Sequence, residues 1–187
     1  MQKRRLLTEI AQTVAFTVIG FYLLQALIVQ PFRVEQTSMR VTFEPGEYVL
    51  VDKISPRLTG FHRGDVVIFH PPESWPSSSD GTPYIKRVIG LPGETVTIGP
   101  GGVEVNGMRL TEDYVYLDGG GDVEEPQEWT LADDELLVFG DHRSNSSDSR
   151  AYGAIPIGSV VGRVVLRYYP LEKVSLISPP SYDAAVP

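Results

Sequence analysis

The chain has 187 residues, enough for one compact domain with its own core and a short appendage, but too few for two large domains. A net charge of −8 and a pI of about 4.9 argue against nucleic acid as a partner, because binding it requires a basic surface that neutralises phosphates. There is no cysteine, which excludes thiol catalysis, disulfide bonds and cysteine-ligated zinc. The histidines His62, His70 and His142 are scattered, so we predict no metal site and no cofactor.

An apolar segment lies near the N-terminus, and residues 10–32 contain no charged side chain. About twenty apolar residues at a rise of ~1.5 Å span the ~30 Å hydrocarbon core of a bilayer, so we predict a transmembrane helix over residues 10–30. A cleavable signal peptide is the alternative, but its apolar region is normally about 7–15 residues long and ends in small residues. This segment is longer and ends in Val29-Gln30-Pro31-Phe32.

The basic residues near the N-terminus indicate the orientation of that helix. Lys3, Arg4 and Arg5 outweigh Arg33 and Arg40 on the other side. The positive-inside rule therefore places residues 1–9 in the cytoplasm and the rest of the chain outside it, at the cell membrane.

Short β-branched or alternating runs follow the apolar segment. They predict strands at residues 48–53, 65–70, 84–90, 94–98, 136–140 and 160–169, and a hairpin over residues 102–110 around Asn106-Gly107. We expect loops at residues 55–64 and 71–83 and at the glycine-rich and acidic residues 119–128. Within the second loop, Trp75 either packs in the core or enters the lipid headgroups. The fold class is mainly β: a compact antiparallel domain over residues 31–177, with sandwich-like or barrel-like coiling, followed by a flexible tail over residues 178–187.

Ser38 stands in the run Val-Glu-Gln-Thr-Ser-Met of residues 34–39, shortly after the apolar segment. Next to a membrane helix it is a candidate nucleophile at a bilayer surface. Ser-Met pairs are common, however, and a polar residue in a loop is the alternative. Two further blocks favour the nucleophile: Tyr-Ile-Lys-Arg-Val-Ile-Gly-Leu-Pro-Gly at residues 84–93 and Gly-Asp-His-Arg-Ser-Asn-Ser-Ser-Asp-Ser-Arg at residues 140–150.

These three blocks, in this order and after an anchor, resemble the bacterial type I signal peptidases, membrane-bound Ser/Lys proteases that remove signal peptides. The similarity covers residues 23–169. It implies a membrane-anchored, β-rich peptidase domain of the signal-peptidase type.

A lysine can activate a serine only when the lysine is neutral, so its pKa must fall well below the usual value of about 10.4. Lys86 lies in a predicted strand between Ile85 and Val88, where burial can lower its pKa, and Arg87 faces the opposite side. A lysine on a strand edge, facing water, is the alternative. A Ser/His/Asp triad is not excluded by counting residues, but it is the weaker chemical option.

The resemblance assigns roles to individual residues. It implies that Ser38 attacks the scissile carbonyl, that Lys86 is the general base and that Ser146 orients Lys86. His142 replaces the asparagine that is more usual in the family and receives no role. The other implied positions are Met39, Tyr84 and Ile85 in pockets for alanine-like side chains, and Arg87, Asp141, Asp148 and Arg150 as the polar residues that tie the third block to the second.

The serine block departs from the family pattern at Gln36. The family usually has a Ser or Thr at this position, and its hydroxyl joins the backbone N–H of the nucleophile in binding the oxyanion. Gln36 carries an amide NH₂ with two donors that can take this role. Thr37 is a second candidate, and the backbone N–H acting alone is the third.

The function predicted from the sequence is a membrane-bound serine endopeptidase that cleaves secretory preproteins after A-x-A-like sites. Its partners would be preproteins and the lipid bilayer, and no pattern indicates an oligomeric state. The self-cleaving repressors are also Ser/Lys peptidases, but they carry a DNA-binding domain and lack an anchor. A catalytically impaired, membrane-anchored relative that acts as a binding or scaffold protein is the alternative from another class. The presence of Ser38, Lys86 and Ser146 together argues against it.

Overall fold

The computed structural model describes residues 2–76, 81–118 and 125–182. In these residues the chain forms one long N-terminal helix followed by a domain built from two antiparallel sheets. The predicted fold class, mainly antiparallel β with one N-terminal apolar helix, is confirmed.

The N-terminal helix α1 spans Gln2–Leu27. Within it, Arg5–Leu23 has a mean hydropathy of 1.5 and no buried residue, and its length and composition are sufficient to cross a membrane. Nineteen residues extend about 28 Å along a helix, close to the thickness of the hydrocarbon core. The hydroxyls of Thr13 and Thr17 each donate to the backbone carbonyl four residues earlier, at 2.9 Å, so the helix itself satisfies these polar groups.

Strand β1 (Val29–Arg33) begins almost directly after the helix, and the bounds of the predicted transmembrane segment differ from those of α1 at both ends. The helix starts before residue 10, and Val29 and Gln30 belong to the sheet rather than to the helix. Val29 pairs with Asp52, and the Lys53 N–H donates to the Ile28 carbonyl at 2.9 Å. The sheet supplies the backbone partners that the end of the helix lacks, which fixes this boundary.

The later elements agree closely with the predicted strands. In chain order they are β2 (Tyr48–Asp52), α2 (Ser55–Thr59), β3 (Val66–Phe69), β4 (Tyr84–Gly90), β5 (Thr95–Gly99), β6 (Gly102–Val105), β7 (Met108–Arg109), β8 (Gln127–Thr130), β9 (Glu135–Phe139), α3 (Ser149–Tyr152), β10 (Ile155–Pro156), β11 (Val160–Tyr169) and β12 (Ser175–Leu176). The predicted hairpin is confirmed: its turn residues Asn106 and Gly107 both have positive φ, 50° and 77°, as a tight hairpin turn requires.

The larger sheet has the strand order β1-β2-β11-β3-β4-β9-β10, with β12 paired to β11, and the smaller sheet has the order β7-β6-β5-β8. Strands β4 and β9 are neighbours, with Arg87 opposite Phe139 and Val88 opposite Val138. Because β4 carries the lysine block and β9 leads into the Gly-Asp block, this pairing brings the second and third sequence blocks together.

The core lies on both faces of the larger sheet. Along β3, Val66 and Ile68 join one apolar cluster, and Val67 and Phe69 join the other, as the alternation of side chains in a strand dictates. The first cluster also contains Met39, so the serine block packs on the same face as Val66.

The expected loops are only partly loops. Residues 55–59, within the predicted loop 55–64, form α2, with Pro56 in its first turn, where a missing N–H costs nothing. Part of the acidic connection forms β8, which pairs with β5; residues 119–124 of that connection lie outside the described residues. Both elements depend on tertiary contacts that local propensity does not reveal.

Trp75 packs in the core rather than among lipid headgroups. It is 3% exposed, and its ring centroid lies 5.5 Å from those of both Phe69 and Tyr152. Residues 77–80 of the same predicted loop lie outside the described residues.

The start of the predicted flexible tail is packed against the domain. The hydroxyls of Tyr182 and Tyr114 are 3.0 Å apart, and a Cβ added to Gly64 would lie 2.6 Å from the Pro180 ring. Residues 178–182, at the start of the predicted flexible tail, therefore contact the domain through Pro180 and Tyr182. Residues 183–187 lie outside the described residues.

Candidate active site

Ser38 lies in the loop between β1 and β2, and the core holds this loop in place. The Val34 N–H donates to Glu47 O at 2.8 Å, and the Phe43 N–H donates to Met39 O at 2.7 Å. Met39 and Phe43 are fully buried, and Ser38 itself is 5% exposed. The loop is therefore anchored on both sides of Ser38 by apolar side chains, which restricts where its hydroxyl can lie.

Lys86 lies in the middle of β4, every residue of which is buried. Its Nζ atom is 2.7 Å from Ser38 Oγ and 3.0 Å from the carbonyl oxygen of Ile85, and it lies 5.3 Å from the centroid of the Tyr84 ring. The side chain is 1% exposed, so Lys86 is not an edge lysine that faces water. Its amine is within proton-transfer distance of the serine hydroxyl.

Burial lowers the pKa of Lys86 to about 8, because the charged ammonium loses its hydration. The carboxylates of Asp148 and Asp141 act in the opposite direction, and the charge of Arg150 adds to the lowering. A substantial fraction of Lys86 is therefore neutral near pH 8 and able to accept a proton from Ser38.

Arg87 and Asp141 join the second block to the third. The Arg87 guanidinium donates to both carboxylate oxygens of Asp141, at 2.8 and 2.6 Å, and also to Gly64 O at 2.9 Å. Thr42, in the chain that follows the serine block, donates its hydroxyl proton to Asp141 at 2.5 Å. Asp141 is thus the point at which all three blocks meet.

Asp148 and Arg150 form an ion pair within the third block. Arg150 donates to both carboxylate oxygens of Asp148, at 2.8 and 2.7 Å, and the Gly140 N–H donates to Asp148 at 2.9 Å. Burial alone would raise the pKa of Asp148, but the hydrogen bonds and charge of Arg150 hold it below its usual range. In the described residues Arg87 and Asp141 bond across the second and third blocks, whereas Asp148 and Arg150 bond to each other in the loop that follows β9.

Ser146 lies beside the site but does not make the expected hydrogen bond to Lys86. Its hydroxyl is buried and lies close enough to Asp148 to help hold the pKa of that carboxyl below its usual range. It packs against Gly140, where an added Cβ would contact the Ser146 hydroxyl and would lie 2.6 Å from Ser38 O. Gly140 therefore allows the third block to approach Ser38 closely.

Gln36 and Thr37 occupy different surroundings. Gln36 lines a small cavity of about 30 Å³ together with Val34, Thr82 and Ile85. The Thr37 hydroxyl accepts a hydrogen bond from Asn145 Nδ2 at 3.1 Å, which ties it to the third block. Both residues stand within the serine loop, so either can present a donor close to Ser38.

Of the implied pocket residues, only Ile85 lines this cavity. Met39 is fully buried in the first apolar cluster, and Tyr84 packs in the second, where its hydroxyl donates to Pro76 O at 2.9 Å. Tyr84 and Ile85 are adjacent in β4, so their side chains point to opposite faces of the sheet.

The sequence analysis missed three contributors to the site. Thr42 and Gly140 lie close to or inside the recognised blocks, and this closeness in sequence is the signal that could have identified them. Asp118 carries no local signal, yet its Oδ2 lies 3.0 Å from Nε2 of His142. No group of three or more His, Cys, Asp or Glu side chains in residues 2–76, 81–118 and 125–182 could hold a metal ion.

Comparison with known proteins identifies the family. The model of the family described as "Signal peptidase, peptidase S26" matches residues 7–169. A signal peptidase I of Leptolyngbya laminosa is 35% identical over 178 residues, which are 93% of this chain and 85% of that protein. A probable signal peptidase I-2 of Synechocystis sp. is 32% identical over 95% of this chain and 80% of its own length.

Two further similarities are to proteins of Staphylococcus aureus and Enterococcus faecalis. A signal peptidase IB of Staphylococcus aureus is 31% identical over 92% of this chain and 94% of its own length. The solved structure of a signal peptidase I from Enterococcus faecalis V583 has a TM-score of 0.46 and 29% identity, and covers 55% of this chain and 95% of that one. The family match and the high coverage of these relatives show that this chain belongs to the signal peptidase I family, peptidase S26.

Proposed function

We propose that this protein is a membrane-bound peptidase that removes signal peptides from secretory preproteins after A-x-A-like sites by means of a Ser38/Lys86 dyad. The observation that carries the proposal is the 2.7 Å separation of Ser38 Oγ and Lys86 Nζ, with the lysine buried and its pKa lowered to about 8. A nucleophile within reach of a base that is partly neutral near physiological pH is the arrangement that acyl transfer requires.

The acylation step uses Lys86 first as a base and then as an acid. Neutral Lys86 accepts the Ser38 proton as Oγ attacks the scissile carbonyl, which becomes a tetrahedral oxyanion. The resulting ammonium then donates this proton to the leaving amine as the peptide bond breaks. Deacylation repeats the sequence with water: Lys86 takes a proton from water, the hydroxide attacks the ester, and Ser38 regains its proton as the carboxyl product leaves.

The oxyanion would be bound by the Ser38 backbone N–H together with one side-chain donor. The Gln36 amide takes no hydrogen-bond partner within the described part of the chain and lines the cavity beside Ile85, which favours Gln36 for this role. The Thr37 hydroxyl accepts from Asn145 and keeps its own proton for donation, so Thr37 remains the competing candidate.

The size of the cavity supports small side chains at the cleavage site. Its volume of about 30 Å³ admits a methyl-sized group such as the alanine side chain, and its lining includes the apolar side chains of Phe32, Val34 and Ile85. A larger substrate side chain would require these core residues to move, at a cost of the kind that overpacking brings.

Membrane anchoring would place the dyad where signal peptides emerge from the bilayer. The apolar span Arg5–Leu23 is followed by β1, and the Ser38 loop comes directly after that strand. With residues 1–9 in the cytoplasm, the domain over residues 31–177 would lie on the outer side of the cell membrane, close to the cleavage sites of membrane-bound preproteins.

An inactive scaffold or binding protein explains these observations less well. A buried lysine loses hydration free energy, and a purely structural site would be at least as stable with an apolar side chain of similar size. Burial of Lys86 against a serine hydroxyl therefore favours a chemical role for this residue.

Incubating the detergent-solubilised full-length protein with a preprotein that carries an A-x-A site tests the proposal, with mass spectrometry of the products. We expect one cut directly after the A-x-A sequence, and no cut by the Ser38→Ala variant. A wild-type protein that leaves the preprotein intact, or a Ser38→Ala variant that still cleaves it, would contradict the proposal.

A further inference from the structure

We propose that His142 is a positioning residue that fixes the oxyanion-binding N–H of Ser38 by holding the peptide groups on both sides of the nucleophile. The inference rests on the proposed function, in which Ser38 is the nucleophile and its backbone N–H is an oxyanion donor. It gives a role in the reaction to a side chain that the sequence left without one.

Two contacts join His142 to the serine loop. The backbone N–H of His142 donates to Ser38 O at 3.0 Å, and the imidazole Nδ1 lies 3.3 Å from Thr37 O. A carbonyl oxygen only accepts, so Nδ1 must carry the proton in the second contact. Nε2 faces a carboxylate oxygen of Asp118, which is also an acceptor, so both ring contacts are attractive together only when both nitrogens carry a proton.

The carbonyl of Thr37 and the N–H of Ser38 belong to the same planar peptide group. In a trans peptide these two bonds point in opposite directions, so fixing the direction of the carbonyl also fixes the direction of the N–H. The Nδ1 contact therefore orients the Ser38 N–H, while the backbone contact restrains the peptide group that follows Ser38.

The imidazole of His142 is itself held in place. It is 1% exposed, its Nε2 lies 3.0 Å from Asp118 Oδ2, and its ring lies 5.0 Å from the Tyr116 ring, measured between centroids. The backbone on either side is fixed as well, since the Tyr116 N–H donates to Asp141 O at 2.8 Å and the Arg143 N–H donates to Tyr116 O at 3.1 Å. Asp118 is in turn bonded by the Ser144 hydroxyl.

This arrangement has two effects on the reaction. It orients the Ser38 N–H before the substrate arrives, so no reorganisation is needed when negative charge develops on the carbonyl oxygen. A hydrogen bond to the carbonyl also polarises the peptide group and strengthens its N–H as a donor.

A matched pair of variants separates positioning from packing. His142→Asn keeps an NH₂ donor that can reach Thr37 O, whereas His142→Leu has nearly the same size as the Asn variant and no donor. His70 is exposed, so His70→Leu in the full-length, detergent-solubilised protein serves as the control. For each variant we would measure kcat and KM on an A-x-A preprotein, together with the thermal unfolding temperature.

We expect His142→Leu to lower kcat by at least about tenfold while KM stays within about twofold, because the lost interaction is made only in the transition state. His142→Asn should recover most of this loss. A peptide aldehyde of the A-x-A sequence, which forms an oxyanion on Ser38, should bind His142→Leu more weakly in proportion to kcat. The corresponding peptide alcohol should bind all variants equally.

Wild-type kcat in a folded His142→Leu protein would overturn the proposal, and so would equal losses in the Leu and Asn variants, which would indicate packing alone. If the Leu variant does not fold, ¹⁵N NMR of histidine-labelled wild-type protein provides the test. The resonances of His142 are those that are missing from the spectrum of His142→Asn. We expect them to show a proton on Nδ1, and an unprotonated Nδ1 would contradict the inference. Absence of Ser38-dependent cleavage in both the wild type and His70→Leu would instead show that the proposed function itself is wrong.

Discussion

Arg87 and Asp141 form a buried, bidentate ion pair. The pair joins β4, in which Arg87 follows Lys86, to the loop after β9. Burial would lower the pKa of Arg87, but the Asp141 carboxylate raises it, so both partners stay charged inside the protein. The Arg87 guanidinium also lies 4.1 Å from the centroid of the Tyr114 ring. The pair therefore holds the strand that carries Lys86 and the loop beside Ser38 in one fixed arrangement.

Removing one partner of this pair should destabilise the protein strongly. Asp141→Ala leaves the buried Arg87 guanidinium without its carboxylate, and we expect the free energy of unfolding to fall by about 3–5 kcal/mol. Denaturant unfolding of the full-length protein measures this. Arg40→Ala, which breaks the exposed Arg40–Glu44 pair, is the control and should change it by less than about 1 kcal/mol. Equal effects of the two substitutions would contradict the structural role of Asp141.

Replacing Lys86 by an apolar side chain should stabilise the protein at neutral pH while it abolishes activity. The pKa of Lys86 is 10.5 before folding and about 8 in the folded protein, so Lys86→Met removes a cost of up to about 3 kcal/mol below pH 8. Between pH 8 and 10.5 the unfolded state binds more protons, so the stability of the wild type rises with pH and the advantage of the Met variant disappears. Unfolding curves of both proteins at pH 7 and pH 10 test this; an advantage that does not shrink would contradict a lowered lysine pKa.

The pH dependence of catalysis should follow the same titration. Because Lys86 must be neutral, kcat/KM should fall on the acid side of an apparent pKa of about 8, approaching tenfold per pH unit. Measuring kcat/KM from pH 5 to pH 10 tests this, with His142→Asn as the control, whose acid limb should remain. A profile that is flat through the neutral range, or an acid limb that disappears when His142 is replaced, would contradict a lysine base.

The side-chain donor of the oxyanion site can be assigned by two substitutions. We expect Gln36→Ala to lower kcat by at least about tenfold, less than the loss of a whole oxyanion hole because the Ser38 N–H remains. Gln36→Ser should recover much of the activity. Thr37→Val keeps the shape of the residue but removes the hydroxyl contacted by Asn145, and we expect only a modest effect on kcat. Near-normal kcat in Gln36→Ala with a large loss in Thr37→Val would move the role to Thr37.

Much of the fold could be predicted because its strongest signals are local. Strands β4 and β11 have the predicted bounds, since each is a run of β-branched and aromatic residues, and the Asn106-Gly107 turn identifies its hairpin. Strand β8 was missed because polar runs of this kind become strands only when a partner strand is available, here β5. No local pattern distinguishes them from solvated loops.

The candidate site was predictable to a smaller extent. Lys86 could be paired with Ser38 only through the family resemblance, because the pattern of β4 alone also allows an exposed lysine. Contacts that cross between distant loops, such as those of His142 with Thr37 and Asp118, were not predictable. The bond from Ser146 to Lys86 that the resemblance implies is not among the hydrogen bonds of the described residues, although the Ser146 hydroxyl is buried beside the site.

The central claim is that Ser38 and Lys86 act as one catalytic unit. Single-turnover cleavage of an A-x-A preprotein by Ser38→Ala, by Lys86→Ala and by the double variant tests it most directly, with folding of each variant checked by circular dichroism. Because neither residue can work without the other, each single variant should lose nearly as much activity as the double variant, with rates no higher than a few per cent of wild type. A folded single variant that retains more activity than this, or losses that multiply in the double variant, would contradict the dyad.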